Sequence, residues 1–361
     1  MSGLERQPRR VGIIGAGIGR EHLYAYQNLP ERFEVAVICD RDEARAREIA
    51  VGAGIATVSD VEAVLTDPRI DVVDVCLPPF LHLPVSVQAL EAGKHVVCEK
   101  PMVTSLSEAD RLAAAIKASG KVFSPVFQYR FGPGMAKLQA LINAGLAGKP
   151  LVASINTHWN REANYYGNPW RGTWKGEQGG AVLGHAIHAH DYLCAVFGPV
   201  ARLSAFVDTR VNPIQTEDCA SISMQMANGA LATSSITLGA NDDTSRYRFV
   251  FDGLTAESGL RPYAPASDEW TFSARGSTTQ EQVLDVLRSV PSVRLGFEGF
   301  LEAFDDAIEG KRNNAVTLTD GRRSLELVTA IYQSARTGTV VDLPLVDSPL
   351  YETWMPEGVM P

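Results

Sequence analysis

Short apolar runs alternate with longer stretches of helical periodicity through the first third of the chain. The apolar runs are Val11–Ile14, Phe33–Cys39, Ile55–Val58, Ile70–Cys76, His95–Cys98 and Val122–Val126. The helix-like stretches between them are Glu21–Leu29, Arg41–Ala50, Asp60–Thr66, Leu81–Ala92 and Ser105–Ser119. Strands that alternate with helices predict βαβ units, and continuous apolar runs are typical of strands buried on both faces. We therefore predict an α/β fold with a parallel, doubly wound sheet.

The pattern changes after Leu151, where β-like runs follow one another with few helices between them. These runs are Val152–Thr157, Val200–Val207, Ala220–Met226, Leu231–Thr237, Tyr247–Phe251 and Glu269–Phe272. They predict a large, open, mostly antiparallel sheet with one covered face. Helices are predicted over 135–144, 300–310 and 319–335, and a last strand over 340–343. We expect two domains, an α/β domain (1–127) and an α+β domain (128–345), followed by a tail (346–361).

A glycine-rich turn follows the first predicted strand. Gly15, Gly17 and Gly19 stand there, with Ile18 between the last two. Glycines allow the backbone to approach a pyrophosphate, and the helix behind them offers free N–H groups. The usual spacing is G-x-G-x-x-G; here the third glycine comes one residue early and Arg20 takes its place. Within alternating strands and helices, the turn predicts a Rossmann dinucleotide-binding domain.

The next strand ends at Asp40. An acidic residue about 20 positions beyond the glycines is placed to bind the adenosine ribose. The alternative is that Asp40 only caps the helix 41–50. Arg41 is placed to hold a 2′-phosphate, so NAD and NADP both remain open, although Asp40 favours NAD.

Composition and charge exclude several classes of protein. The 361 residues are 45% hydrophobic and carry a net charge of −9, which does not favour nucleic-acid binding. We find no apolar stretch long enough for a membrane span and no export signal. The cysteines are too scattered for a disulfide framework or paired zinc ligands, as their positions show: Cys39, Cys76, Cys98, Cys194 and Cys219. We predict a cytoplasmic protein.

Two segments that end the fourth and fifth predicted strands resemble the Gfo/Idh/MocA family of nicotinamide-dependent sugar and cyclitol dehydrogenases. One is the P-x-x-x-H turn Pro78–His82, and the other is the triplet Glu99-Lys100-Pro101. The resemblance extends from Val11 to about Leu345. It implies NAD or NADP as cofactor, a sugar, cyclitol or related polyol as substrate, and a homodimer or homotetramer.

The resemblance assigns roles to residues of the first domain and of the segment after it. Lys100 is implied to be a catalytic or substrate-orienting residue, against the alternative of a surface lysine. The other cofactor contacts that it implies are Leu77, Pro78, His82, Glu99 and Gln128. His82 and Glu99 would frame the nicotinamide ribose, or else serve only as local caps or surface groups.

The stretch Gly179–Asp191 resembles the family's D-x-x-x-H-x-x-D helix, whose histidine is the general acid/base. His188 and Asp191 fit the second half of this pattern, but Gly184 stands where Asp or Asn is usual. Residues three or four apart share a helix face, so His185 is expected to project beside His188 and Asp191. His185 is then either a substrate contact or a core polar residue. His188 is either catalytic or a packing histidine.

The same stretch also contains several residues of the types that bind metals. His185, His188 and His190 with Asp191 are rich in ligand types. No H-E-x-x-H order or cysteine pair supports the idea, and we expect no metal.

The segment before this helix combines rings with hydrogen-bonding groups. Its candidate substrate contacts are His158, Arg161, Tyr166, Trp170 and Arg171. Rings pack on the C–H faces of sugars and polar groups bind the hydroxyls. The alternative is a loop anchored by its own aromatic residues. Two other functions stay open at this point: a redox-neutral enzyme that cleaves glycosides through transient oxidation, and a non-catalytic NAD-binding sensor.

Overall fold

The computed structural model describes residues 7–52, 54–356 and 358. The strands are β1 (Arg9–Ile14), β2 (Phe33–Cys39), β3 (Ala56–Val58), β4 (Val72–Val75), β5 (His95–Cys98), β6 (Phe123–Pro125), β7 (Pro150–Asn160), β8 (Val200–Asp208), β9 (Cys219–Met226), β10 (Leu231–Thr237), β11 (Gly239–Phe251), β12 (Leu254–Glu257), β13 (Thr271–Ala274) and β14 (Val341–Asp342). The helices are α1 (Gly19–Gln27), α2 (Glu43–Ala50), α3 (Val61–Leu65), α4 (His82–Glu91), α5 (Leu106–Ser119), α6 (Pro133–Asn143), α7 (Trp174–Glu177), α8 (Ile187–Phe197), α9 (Gln280–Ser289), α10 (Gly296–Ile308) and α11 (Leu318–Thr337).

The first sheet has six parallel strands in the order β3-β2-β1-β4-β5-β6. Its central strand, β1, buries Val11, Ile13 and Ile14 almost completely. The strand order reverses between β1 and β4, and ligands of such sheets bind beyond the carboxyl ends of the strands at this point. The predicted doubly wound sheet is confirmed.

The second sheet has eight strands in the order β13-β12-β11-β7-β10-β9-β8-β14. Only β7 and β10 pair in parallel, while the other neighbouring strands described are antiparallel. Buried and exposed residues alternate along β10. One face of the sheet is therefore covered, as alternation of this kind requires. The predicted open, mostly antiparallel sheet is confirmed.

The chain forms two compact units, which differ from the expected division in one segment. The first unit contains residues 1–126 and 297–321, and the second contains 127–296 and 322–361. Helix α10 therefore joins the first unit, although the sequence pattern placed it in the second domain. Its buried Asp305 accepts a hydrogen bond from Arg9 at 2.8 Å and another from Arg32 at 2.8 Å. A buried carboxylate requires such partners, so these contacts tie α10 to the first sheet.

The region 242–291 contains strand β12 and helix α9, which the pattern did not predict. Strands β11 and β12 pair with each other, and β11 has a register shift between Gly239 and Thr244. Helix α9 begins with a capping box, in which Thr279 and Gln282 each bond to the other's backbone N–H. This local signal was available in the sequence.

The length and hydropathy of the helices bear on membrane crossing. Among the described residues, no helix is both long and apolar enough to cross a bilayer.

Candidate active site

The glycine turn after β1 meets three different steric demands. Gly15 has φ +108°, and a Cβ there would lie 2.2 Å from the Cys76 carbonyl oxygen. A Cβ on Gly19 would lie 2.9 Å from Ile13, so this glycine lets α1 pack closely on β1. Gly17 has no atom within 4 Å of its Cβ position. The space beside Gly17 is therefore open to a ligand.

The start of α1 behind this turn suits an anion. Its N-cap is Ile18, whose exposed side chain cannot accept a hydrogen bond from the first helical N–H groups. Uncapped N–H groups and the helix dipole both favour a phosphate. The turn thus fits the pyrophosphate of a dinucleotide.

Asp40 connects the end of β2 to the glycine turn. Its Oδ2 accepts a hydrogen bond from the Ala16 N–H at 2.8 Å, and its Oδ1 accepts one from the Asp42 N–H at 2.8 Å. Helix α2 is capped instead by Asp42, which accepts from Ala44 and Arg45. The alternative that Asp40 is the helix cap is therefore wrong. Arg41 next to it is exposed.

His82 joins the turn after β4 to the turn after β5. Its Nε2 lies 2.7 Å from the Leu77 carbonyl oxygen and its Nδ1 lies 2.6 Å from that of Pro101. Burial lowers the pKa of this imidazole, although both carbonyls favour its charged form. Both ring nitrogens thus lie against carbonyl oxygens of the protein, and the predicted ribose contact of His82 stays a prediction. Pro78, at the start of the same turn, is exposed.

Both carboxylate oxygens of Glu99 also contact groups of the protein. Its Oε1 lies 3.1 Å from Nε2 of His22, and its Oε2 accepts a hydrogen bond from the Lys100 N–H at 3.0 Å. The carboxylate is nearly buried. It fixes the main chain at Lys100, two residues after the end of β5, and its predicted contact with the nicotinamide ribose stays a prediction.

The histidines of the second unit lie where a π-helix passes into an α-helix. Val182–Ala186 is π-helical and contains His185, whereas His188 and Asp191 lie in α8. π-Helical turns are rare and are frequent at functional sites. The change of helical pitch means that a common face for the three residues does not follow from their spacing.

Glu217 supports the start of the π-helical turn, and sequence analysis missed it. Its buried carboxylate accepts hydrogen bonds from the N–H groups of Gly180 and Val182 and from the Tyr332 hydroxyl. Burial raises the pKa of Glu217 to about 7, against the opposing effect of these donors. No sequence pattern distinguishes this glutamate, because its partners come from two segments far from it in the sequence.

Aromatic rings surround the two candidate histidines. His188 stacks on Tyr129, with ring centroids 4.2 Å apart, and meets the edge of Phe127 at 5.8 Å. His185 Nε2 lies 3.3 Å from the Tyr165 hydroxyl oxygen. Rings packed in this way restrict the orientation of both imidazoles.

Asp191 is held by Arg130. The Nε of Arg130 donates to Asp191 Oδ2 at 2.6 Å, and its Nη2 donates to the other oxygen. Asp191 is buried and the pair is bidentate. The structure thus gives this carboxylate a protein partner, and the substrate contact that the family pattern implies for Asp191 stays a prediction.

Two arginines stack with the rings of the preceding segment. The guanidinium of Arg161 lies 5.1 Å from the ring centroid of Tyr165, and that of Arg171 lies 4.2 Å from the same ring. Arg171 also lies 4.5 Å from the ring of Trp170. Arg161 forms an ion pair with Asp243 and Arg171 forms one with Glu177. Tyr165 is therefore the centre of this cluster, and the sequence did not single it out.

Three further predicted residues, Tyr166, Gln128 and His158, have different surroundings. Among the described residues, Tyr166 Oη and Gln128 Oε1 are buried and have no hydrogen-bond partner. His158 lies 3.0 Å from the Ser235 hydroxyl. It adjoins Trp159 on β7, and successive strand residues point to opposite faces, so His158 points away from the face on which Trp159 meets His185 at 5.4 Å. The structure does not bring His158 together with the other candidates.

The tail also contributes to this unit. Trp354 is buried, and its indole N–H donates to the Gln178 carbonyl oxygen at 2.5 Å. Gln178 has φ 61° and precedes the segment that Glu217 binds. The tail thus anchors the loop that leads into the π-helical turn.

The histidines around His188 do not form a ligand cluster. Within the described residues, a group that could hold a metal occurs at His22, Asp74 and Cys76, whose ligand atoms lie within 4.8 Å of one another. His190 lies instead 3.0 Å from the Ser234 hydroxyl in the core.

Two segments of the chain match two family profiles. Residues 9–127 match the oxidoreductase family with an NAD-binding Rossmann fold, and residues 135–256 match the GFO/IDH/MocA C-terminal domain. An uncharacterized oxidoreductase of Synechocystis sp., sll0816, is 31% identical over 256 residues, 67% of this chain and 68% of its own. The chain belongs to the GFO/IDH/MocA oxidoreductase family.

Other members of the family are similar over nearly the whole chain. Levoglucosan dehydrogenase of Pseudarthrobacter phenanthrenivorans is 28% identical, over 95% of this chain and all of its own. The WlbA dehydrogenase of Bordetella pertussis, solved with NADH and UDP-GlcNAcA, has a TM-score of 0.82 and 25% identity, over 94% of this chain and all of that one. The predicted family, oxidoreductase class and NAD cofactor are confirmed.

Proposed function

We propose that this family member is an NAD(P)-dependent dehydrogenase that oxidises a secondary hydroxyl of a sugar, cyclitol or related polyol. The observation that supports it most directly is the way the chain holds Lys100. Glu99 binds the Lys100 N–H at 3.0 Å, and His82 contacts the carbonyl of the next residue at 2.6 Å. A lysine whose backbone is fixed on both sides, just beyond the carboxyl end of a parallel strand, is placed for substrate binding.

In this proposal, Lys100 and His188 have different roles in the reaction. Lys100 holds the reacting hydroxyl and stabilises negative charge on its oxygen. His188 takes the hydroxyl proton, since an imidazole titrates near neutral pH. The nicotinamide, when bound, accepts the hydride at C4. Stacking on Tyr129 keeps the His188 ring in one plane for this transfer.

The cofactor site fits the dinucleotide in two places. The open space at Gly17 and the uncapped start of α1 suit the pyrophosphate, with Ile18 beside it. Asp40 suits the adenosine ribose, because a carboxylate accepts hydrogen bonds from its hydroxyls. Leu77, Pro78 and Gln128 remain proposed contacts.

The aromatic segment supplies the proposed substrate contacts. Trp170 and Tyr166 offer ring faces to C–H groups, and Arg171 and His185 offer donors to hydroxyls. Arg161 is held by Asp243 and Tyr263, so it shapes this surface. Arg130 binds Asp191, which lies three residues after His188 in α8.

The test is a panel of sugars and polyols with NAD and NADP, following the absorbance of the reduced cofactor. Wild type and Lys100→Met are compared side by side. We expect turnover of at least one substrate by the wild type, and a loss of about 10³-fold or more in the variant, with NAD affinity unchanged. Near-normal turnover by Lys100→Met would refute the proposal. Bound NAD without any turnover would favour a redox-neutral enzyme or a sensor.

We also propose that the chain assembles as a homodimer or homotetramer through the second sheet. Large apolar side chains are exposed at Val152, Phe206 and Leu231, each on a different strand of that sheet. Such residues on an uncovered sheet face are typical of protein interfaces. Light scattering of the wild type and of Phe206→Asp tests this, since a monomeric wild type would contradict it.

A further inference from the structure

A buried chain of hydrogen bonds runs from β4 to the Glu-Lys-Pro turn. Asp74 is completely buried within β4, and its Oδ2 lies 2.8 Å from Nδ1 of His22. The other nitrogen of His22 lies 3.1 Å from Glu99 Oε1. The opposite oxygen of Glu99 binds the Lys100 N–H. Residues far apart in sequence thus connect Asp74 to the backbone of Lys100.

The two carboxylates define the charge of His22. An ionised carboxylate only accepts hydrogen bonds, so an imidazole between two of them satisfies both only when each ring nitrogen carries a proton. Burial lowers the pKa of His22, but the charge of Asp74 and its hydrogen bond raise it by more, to well above the usual value. His22 is therefore an imidazolium at neutral pH.

The neighbours of His22 leave the ring no freedom to turn. The thiol of Cys76 lies 3.5 Å from Nδ1 and 3.4 Å from Asp74 Oδ1. The ring of Phe297 lies 4.5 Å from the imidazole. Burial raises the pKa of Cys76 beyond any ordinary pH, so this side chain is a thiol and adds no charge.

We propose that His22 is a positioning residue, which acts through Glu99 to hold the main chain from which the Lys100 side chain extends. The inference rests on the role of Lys100 in the proposed function. Without the ring, the buried Glu99 Oε1 and Asp74 Oδ2 would each lose a hydrogen-bond partner, which favours a shift of the Glu99 carboxylate. Movement of Glu99 would release the Lys100 N–H. A small displacement of this kind costs turnover far more than it costs cofactor binding.

The first test compares His22→Gln with the wild type and with His95→Gln. His95 lies at the opposite end of β5 from Lys100, so it is a matched control in the same sheet. We expect kcat to fall by about 10²-fold in His22→Gln, with the dissociation constant of NAD changed by less than about threefold, and no change in His95→Gln. Equal losses in kcat and NAD binding, or no loss in kcat, would overturn the proposal.

A double mutant separates this proposal from the role of Lys100. If His22 acts through Lys100, adding His22→Gln to Lys100→Met causes no further loss of kcat. A full additional loss would contradict the proposal while leaving the role of Lys100 intact. High activity of Lys100→Met alone would instead refute the proposed function.

A third measurement does not depend on activity or on a stable variant. Nitrogen-15 NMR of the wild type, labelled at histidine, reports whether each ring nitrogen of His22 carries a proton. The titratable groups in contact with the ring are Asp74, Cys76 and Glu99. We expect both nitrogens of His22 to remain protonated from about pH 6 to 8. A neutral ring, or one mole of bound metal per chain in the purified protein, would overturn the proposal.

Discussion

His82 contacts the carbonyl oxygens of Leu77 and Pro101 at once, and so links the ends of two neighbouring parallel strands. We expect His82→Phe to lower the free energy of unfolding by about 1–3 kcal/mol, because two buried carbonyls lose their partner. Urea denaturation followed by tryptophan fluorescence measures this. His158→Ala, at a half-buried position away from this link, should change stability by less than about 1 kcal/mol. Equal stability of His82→Phe and wild type would show that the link is unimportant.

The free energy of unfolding should depend on pH through Glu217. Its pKa is about 7 in the folded protein and near the usual 4.5 when unfolded, so the folded state binds the extra proton between these values. Stability therefore falls as pH rises from about 4.5 to 7, by up to about 1.4 kcal/mol per pH unit from this group. Urea denaturation at several pH values should show a shallower fall for Glu217→Gln. The same slope in both proteins would contradict the assignment.

Asp40 should govern the choice between NAD and NADP. Its carboxylate lies beside the glycine turn and would repel a 2′-phosphate, which the exposed Arg41 could bind. We expect Asp40→Ser to raise the ratio of kcat/KM for NADP over NAD by about tenfold or more. Asp60→Asn is the control. It also alters an acidic side chain of the first unit, but one that caps α3. An unchanged ratio in Asp40→Ser would exclude this role.

Gly184 stands where the family pattern that this helix resembles has Asp or Asn, and the structure has room for a side chain there. No atom lies within 4 Å of its Cβ position. Gly184→Asp should therefore fold with a thermal midpoint within a few degrees of the wild type, because aspartate has no less helix propensity than glycine. Its negative charge near His188 should move the acidic limb of the kcat/KM profile to higher pH. Gly184→Ala should leave that limb in place, and a shift in both variants would assign the effect to the backbone.

Trp354 should stabilise the loop before the π-helical turn. Trp354→Ala removes a large buried ring and the hydrogen bond to Gln178, so we expect a loss of about 3–5 kcal/mol in the free energy of unfolding. Trp354→Phe keeps most of the ring and should lose less. Hydrogen exchange at residues 178–182 should increase in both variants. Protection equal to that of the wild type would show that the tail does not anchor this loop.

Local patterns in the sequence determined much of this protein. The alternation of apolar runs and helices predicted the first sheet, and successive β-like runs predicted the second. The strands Phe33–Cys39, His95–Cys98 and Leu231–Thr237 agree with the structure at both ends. The glycine turn and the Glu-Lys-Pro triplet indicated the family. Such features depend on residues a few positions apart, which is why one chain segment suffices to predict them.

Tertiary structure alone decided which polar groups meet. Asp74, His22 and Glu99 come from β4, α1 and the end of β5, and Glu217 reaches the π-helical turn from the segment just before β9. Asp305 places α10 in the first unit through arginines nearly 300 positions away. The physical reason is that burying a charged or polar group is costly without a partner, and packing of distant elements selects that partner. The sequence thus named Lys100 and His188, while the folded chain determined how each is held.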